Sequence, residues 1–198
     1  MKRIVQLFLI LILFPAANLL CQPKDNLSIF YNLIDESVSK IDSSVNETKE
    51  NLAVNLSLPQ PLELLRSKLI IAFKQNGYVV KENDGSSTLN YSLTDANVTY
   101  QNPYKDGLFG SVLAERIIKL NGSYFLTANS EIKEPSFFNL THADTVAIDS
   151  IPALENRSLP FTRGEVPQPP LLSNLLEPAI VIGALITTII LFFTVRSK

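Results

Sequence analysis

At 198 residues with 17 lysines and arginines against 19 aspartates and glutamates, the chain has the length of one domain plus flanking segments. Setting aside Lys2, Arg3, Arg196 and Lys198 at the two ends leaves 13 basic against 19 acidic residues. A body near −6 has no basic face for phosphate, which excludes nucleic acid as the expected partner. Cys21 is the only cysteine, so an intrachain disulfide is excluded and a bacterial envelope is favoured over an animal cell surface, where small domains are usually cross-linked.

Lys2 and Arg3 precede an apolar run from Ile4 to Phe14 that breaks at Pro15, the layout of a secretory signal peptide over residues 1–21. Three processing outcomes stay open. Cleavage can fall near Ala16 and Ala17 or after Cys21, or Cys21 can be acylated, although Asn18, Leu19 and Leu20 are larger than the residues that normally precede a lipidated cysteine.

The mature body, residues 22–158, opens on apolar residues at Leu27, Phe30, Tyr31, Ile34, Val38 and Ile41, a three-four spacing that predicts a helix. A polar loop is expected over Asp42 to Lys49. Leu52, Val54 and Leu56 alternate with Ala53, Asn55 and Ser57 as in a strand, which Pro59 and Pro61 end. Pro61 and Glu63 suit the first turn of a second helix, with Leu62, Leu65, Leu69, Ala72 and Phe73 as its buried stripe and Asn76-Gly77 as its stop.

A short strand from Tyr78 to Lys81 and a turn at Asn83 to Ser86 follow. Leu89, Tyr91 and Leu93 alternate on one parity and Ala96, Val98 and Tyr100 on the other, which predicts a β-bulge near Thr94 and Asp95. Gln101 to Gly110 reads as a loop whose aromatics Tyr104 and Phe109 either fold back on the sheet or form a partner-binding tip. Val112 to Leu120 and Tyr124 to Ala128 are expected as strands interrupted at Gly122, and Thr145 to Ile148 as a last strand.

From Leu159 the prolines at 160, 167, 169 and 170 predict an extended stalk over 159–177, in which twelve residues would reach roughly 35 Å at about 3.1 Å each. Pro178 to Val195 then carries no charge and as a helix would rise about 27 Å, close to the roughly 30 Å hydrocarbon core. We read it as a transmembrane helix. Glu177 stands before it and Arg196, Ser197 and Lys198 follow, which puts the C-terminus in the cytoplasm and the domain on the extracytoplasmic, periplasmic side.

Little in the chain promises chemistry. His142, the sole histidine, lies two residues from Asp144, with no second imidazole or thiol to complete a zinc site. Neither a Gly-x-Ser-x-Gly turn nor a phosphate loop is present. Asp95, Asp106, Glu115, Asp144 and Asp149 leave an acid-pair hydrolase as a minor alternative. Arg116 falls between apolar neighbours, where an inward guanidinium requires a carboxylate and an outward one snorkels at the sheet edge. Asn-x-Ser/Thr triplets at Asn26, Asn46, Asn55, Asn97, Asn121, Asn139 and Asn156 support a second alternative, an N-glycosylated single-span surface protein of a eukaryote.

The order of helix, strand, helix ending Asn76-Gly77-Tyr78-Val79-Val80 and then long strands, over roughly Asn51 to Ala128, resembles small bacterial envelope accessory lipoproteins of the lipopolysaccharide-transport type. The resemblance implies an α+β fold in an envelope accessory protein and carries over no site residues. Those proteins are held by an N-terminal lipid, whereas this chain carries a proline-rich stalk and a C-terminal apolar segment. The expectation is therefore an α+β domain, an antiparallel sheet packed by the amphipathic helix from Pro61 to Asn76. It would be anchored in membrane lipid through the C-terminal helix and bind an envelope protein partner without cofactor, metal or catalysis, with Tyr104 and Phe109 as the candidate partner-binding residues.

Overall fold

The computed structural model describes residues 22–44, 52–80, 87–107, 110–128, 131–169 and 176–196. The expected signal peptide with Cys21, the turn expected at Asn83 to Ser86, and Phe109 lie outside the described residues.

Helix α1, Asn26–Ser44, takes in the first three residues of the loop expected from Asp42. Asp25 caps it: its Oδ1 accepts from the Ser28 amide at 2.8 Å and its Oδ2 from the Ser28 hydroxyl at 2.7 Å, satisfying an amide that the first helical turn leaves free. Of the three-four stripe, Phe30, Ile34, Val38 and Ile41 are fully buried, and Leu27 and Tyr31 are partly buried against the same core. Strand β1, Leu52–Ser57, leads through a 3-10 turn at Gln60–Leu65 into helix α2, Arg66–Gln75. The expected helix over Pro61 to Asn76 therefore begins as the tighter form. Gly77, with φ 85, supplies the left-handed residue that ends it.

Three long strands build the rest: β2 Ser87–Lys105, β3 Val112–Ala128 and β5 Ser136–Ala147, with the two-residue β4 Glu131–Ile132 also on β3. The order is β1-β2-β3, with both β4 and β5 on the far side of β3. β2, β3 and β5 pair antiparallel, but β1 runs parallel to β2. The sheet is mixed, which corrects the expectation of an antiparallel one. Its physical cause is the crossover through α2, which returns the chain to the end of the sheet where β1 began. Val79 adds a single parallel bridge to Ala53, in place of the strand expected at Tyr78 to Lys81.

The predicted bulge is present: register shifts between Leu93 and Asp95, leaving Thr94 without a partner, and buried positions change from odd to even there. Gly122, in contrast, does not interrupt β3. It pairs with Leu93 on one side and Phe138 on the other, and a Cβ at this position would lie 2.3 Å from Phe138 Cζ and 2.4 Å from the Ser92 carbonyl oxygen. Close approach, not a turn, demands this glycine. β5 is also far longer than the Thr145 to Ile148 strand expected, because exposed Asn139, Thr141 and Thr145 alternate with covered Leu140 and Val146.

Helices α1 and α2 cover one face of the sheet. Phe73 stands edge-on to Tyr91 and Tyr78, and Tyr91 stacks on Phe138. A second 3-10 turn, Ile148–Ser150, and helix α3, Ile151–Leu154, follow β5. They lead to Pro160–Thr162, where Phe161 meets Phe30 edge-on at 5.4 Å and Thr162 is fully buried. Phe161 and Thr162 are therefore part of the core, within the stretch expected as a stalk from Leu159, and the chain still lies against the sheet at Gly164, where a Cβ would be 2.7 Å from the Val98 carbonyl oxygen. An aromatic that fills a gap beside α1 outweighs the proline content around it.

Helix α4, Leu176–Arg196, has every side chain described between Pro178 and Thr194 exposed. Those are seventeen positions, and among the described residues no helix is long and apolar enough to cross a membrane. The backbone helix spans 21 residues, a rise of about 31 Å.

Candidate functional site

Two polar constructions sit back to back near the β2–β3 hairpin end of the sheet, on neighbouring residues of β3. On the covered face is Arg116, fully buried, at the parity that buries Ala114, Ile118 and Leu120. It faces Asp144, its register partner on β5. Nε donates to Oδ1 at 2.8 Å and Nη2 to Oδ2 at 2.5 Å, the two-pronged geometry that suits guanidinium and carboxylate. Nη1 donates to the Lys24 carbonyl and to Asn26 Oδ1, both at 2.8 Å.

Asn26 passes the network on. It is fully buried, and its Nδ2 donates to the Tyr100 hydroxyl at 2.7 Å and to the Thr162 carbonyl at 2.8 Å. Burial raises the Tyr100 pKa, and the nearby Glu155 charge adds to that rise. Glu155 Oε1 in turn accepts from the Gly164 amide at 2.9 Å. One buried cation thus ties the start of α1 and the 155–164 segment to three strands. Burial alone would raise the Asp144 pKa, but the hydrogen bonds and charge of Arg116, with a smaller share from His142, hold it below the ordinary carboxylate value.

On the open face, register on β2 shifts a second time between Gln101 and Tyr104, and Asn102 takes φ 51, a left-handed conformation that asparagine tolerates better than most residues. The strand expected to end at Tyr100 therefore continues to Lys105. Both amides are brought onto one acceptor: Glu115 Oε2 receives Gln101 Nε2 at 3.1 Å and Asn102 Nδ2 at 2.9 Å. These two bonds lower the Glu115 pKa. Asn102, Tyr104, Glu115, Ala143, Asp144 and Thr145 line a concavity of about 370 Å³ here. Tyr104 is 48% exposed.

Of the candidates read from the sequence, Tyr104 stands on the rim of this concavity. His142 lies beside Asp144, with Nε2 3.5 Å from Oδ2, but Asp144 already serves Arg116. Among the described residues no three histidine, cysteine, aspartate or glutamate side chains come together as a metal site. An acid pair needs one carboxyl that keeps its proton near neutrality. Glu115 and Asp144, the two acidic residues that line the concavity, are both shifted the opposite way, and the Asp144 carboxylate is turned to Arg116 on the covered face.

The asparagine triplets also acquire positions, except Asn46, which lies outside the described residues. Asn26 cannot carry a glycan in this fold, because both amide hydrogens of its side chain point at buried acceptors. Asn121 lies mid-strand with its Oδ1 buried and without a hydrogen-bond partner among the described residues, and its Nδ2 reaches toward Asp95 at 3.5 Å. Asn55, Asn97 and Asn139 stand on the open face, a polar strand surface that is rich in asparagine for its own reasons.

Sequence reasoning left Arg116 between two readings and missed Asn26 and the Gln101–Asn102 clamp. A signal for the first was available: an arginine on the apolar parity of a strand, with an aspartate on the apolar parity of another, announces a buried pair. The clamp had none, since it depends on one extra residue in β2.

No protein-family model matches the chain, and no curated protein matches it. Among solved structures, the chain is similar to a minor lipoprotein from Acinetobacter baumannii, at 17% identity over 50% of this chain and 67% of that one, TM-score 0.34. It is also similar to the rare lipoprotein B from Shewanella oneidensis, at 18% identity over 49% of this chain and 70% of that one, TM-score 0.28. The chain thus resembles bacterial minor and rare lipoproteins over about half of its length.

Proposed function

We propose that this protein is a membrane-anchored, extracytoplasmic accessory or scaffold protein of a bacterial envelope assembly, acting by binding another protein and catalysing no reaction. The observation that carries the reading is α4. Ten large apolar side chains between Ile180 and Phe193 are 39–69% exposed. Each gains about 1.5–3 kcal/mol on full removal from water, so even half of that for ten is on the order of 10 kcal/mol, as large as the whole stability of a typical domain. Such a surface needs a cover, and the uncharged run from Pro178 to Val195 with Arg196 and Lys198 behind it matches lipid with a cytoplasmic end.

Support for binding over catalysis comes from the polar groups. The buried ones hold the fold together, and the exposed concavity offers one fixed carboxylate. In the glycosylated alternative, Asn26 would be a lost acceptor and Asn121 a poor one, which favours the bacterial reading.

Membrane fractionation tests the proposal. Expressed with its own signal in a bacterium, the full chain is expected to stay in the pellet through alkaline carbonate, and a version ending at Pro169 to appear in the soluble periplasmic fraction. A tag after Lys198 is expected to be reached by protease only in inverted vesicles. Release of the full chain by carbonate, or sedimentation of the shortened one, overturns the reading.

A further inference from the structure

The concavity on the open face has the chemistry of a receptor for a cation on a flexible stem. We propose that it receives an arginine or lysine side chain of the bound protein, with Glu115 as counter-ion and Tyr104 as the aromatic wall. This rests on the reading that the domain works by binding protein, and it names the chemistry of that partner.

Four observations converge. First, the Glu115 carboxylate is fixed before any ligand arrives, because Gln101 and Asn102 both donate to Oε2. A preorganised acceptor spares the ordering cost that a free glutamate would meet on binding. Secondly, those two partners are neutral, and among the described residues no lysine or arginine forms an ion pair with Glu115. The other acidic residue lining the concavity, Asp144, turns its carboxylate to Arg116 on the covered face, so the uncompensated charge here is that of Glu115.

Thirdly, Tyr104 is half exposed on the rim, positioned there by the extra residue between Gln101 and Tyr104. A ring beside a carboxylate suits a guanidinium or ammonium through its face. Ala143 and Thr145 are small and leave room for an aliphatic stem. Fourthly, the concavity lies within the size range of ligand pockets, and the acidic body, near −6, draws in a basic partner from a distance. A metal ion would need more ligands than this carboxylate supplies, and no such group occurs among the described residues.

The test uses the full chain in nanodiscs of zwitterionic lipid, with saturation transfer read on the peptide Gly-Ser-Arg-Ser-Gly. Companion peptides carry lysine or citrulline in place of the arginine, and empty discs give the background. Expected are saturable millimolar binding of the arginine and lysine peptides and at least tenfold weaker binding of the citrulline peptide, which keeps the shape and loses the charge. E115Q should bring the arginine peptide down to the citrulline level. Y104A should weaken it several-fold, and Y104F should restore it.

Equal binding of citrulline, no effect of E115Q, or no saturable binding of the arginine peptide overturns the proposal. So does spermidine binding as tightly as the peptide, which would mark a site for free polyamines. Any of these results can occur while the fractionation experiment succeeds, so the two readings fail separately.

Discussion

Glu115 and Arg116 are adjacent on β3 and point to opposite faces, and their surroundings could hardly differ more. Arg116 is fully buried, answered by a carboxylate, a carbonyl and a side-chain amide. Glu115 is answered by two neutral amides at the surface. A buried charge must be neutralised by the fold itself, or the fold does not form. A surface charge can be held rigid and left unneutralised, because water screens it until a partner arrives. Neutralisation from within, not polarity, thus distinguishes a structural charge from one free to recognise something.

The largest effect should come from stripping Arg116 of its counter-ion. D144A leaves a guanidinium without a carboxylate and should cost about 3 kcal/mol, the low end of the usual range because Asp144 is itself partly exposed. Chemical denaturation followed by circular dichroism measures it. Pairing D144A with R116M, which removes both charges and keeps apolar volume, should recover much of that loss. No recovery would mean that the pair acts through something other than its charge.

The pair also sets the acid limit. With the Asp144 pKa depressed in the fold, its contribution is fully present above the ordinary carboxylate pKa and is lost as pH falls through the folded value. In the same denaturation experiment, the difference between wild type and D144A should shrink only at acid pH.

A smaller loss is expected at Asn26, one step further from the charge. N26A removes an acceptor from Arg116 and two donors from Tyr100 and Thr162, leaving buried partners unmet at about 1–3 kcal/mol. Hydrogen exchange should show the loosening first in the 155–164 segment that Asn26 holds to the sheet. If the start of α1 loosened alone, the proposed tie between the two segments would be broken.

Much of the inner face is readable from alternation and spacing. The α1 stripe, the α2 stripe and the phase slip at Thr94 all follow from where apolar residues fall, because burial on one face imposes a period. The direction of β1 does not, since a strand's own residues carry no record of which neighbour it joins. Gly122 misleads because a glycine under an aromatic ring and a glycine in a turn look alike in one dimension. β5 is hidden by its polar outward positions, and Phe161 by the prolines near it. On the open face, Tyr104 is legible as an exposed aromatic, but its neighbours at the concavity come from three strands and meet only through register. Phe109, its sequence companion, lies outside the described residues.

The smallest effect on stability is expected at Glu115, and it sharpens the contrast most. Glutamine keeps an oxygen that can accept from Gln101 and Asn102, and the site is open to water. E115Q should therefore leave the thermal midpoint of the full chain unchanged within error while abolishing discrimination between arginine and citrulline peptides. The neighbouring residues Glu115 and Arg116 would then divide cleanly, Arg116 with its partner Asp144 altering folding and Glu115 altering binding. If E115Q instead lowered the midpoint as D144A does, Glu115 would be a further fastening of the β2–β3 end, and the amide clamp would exist to close the sheet.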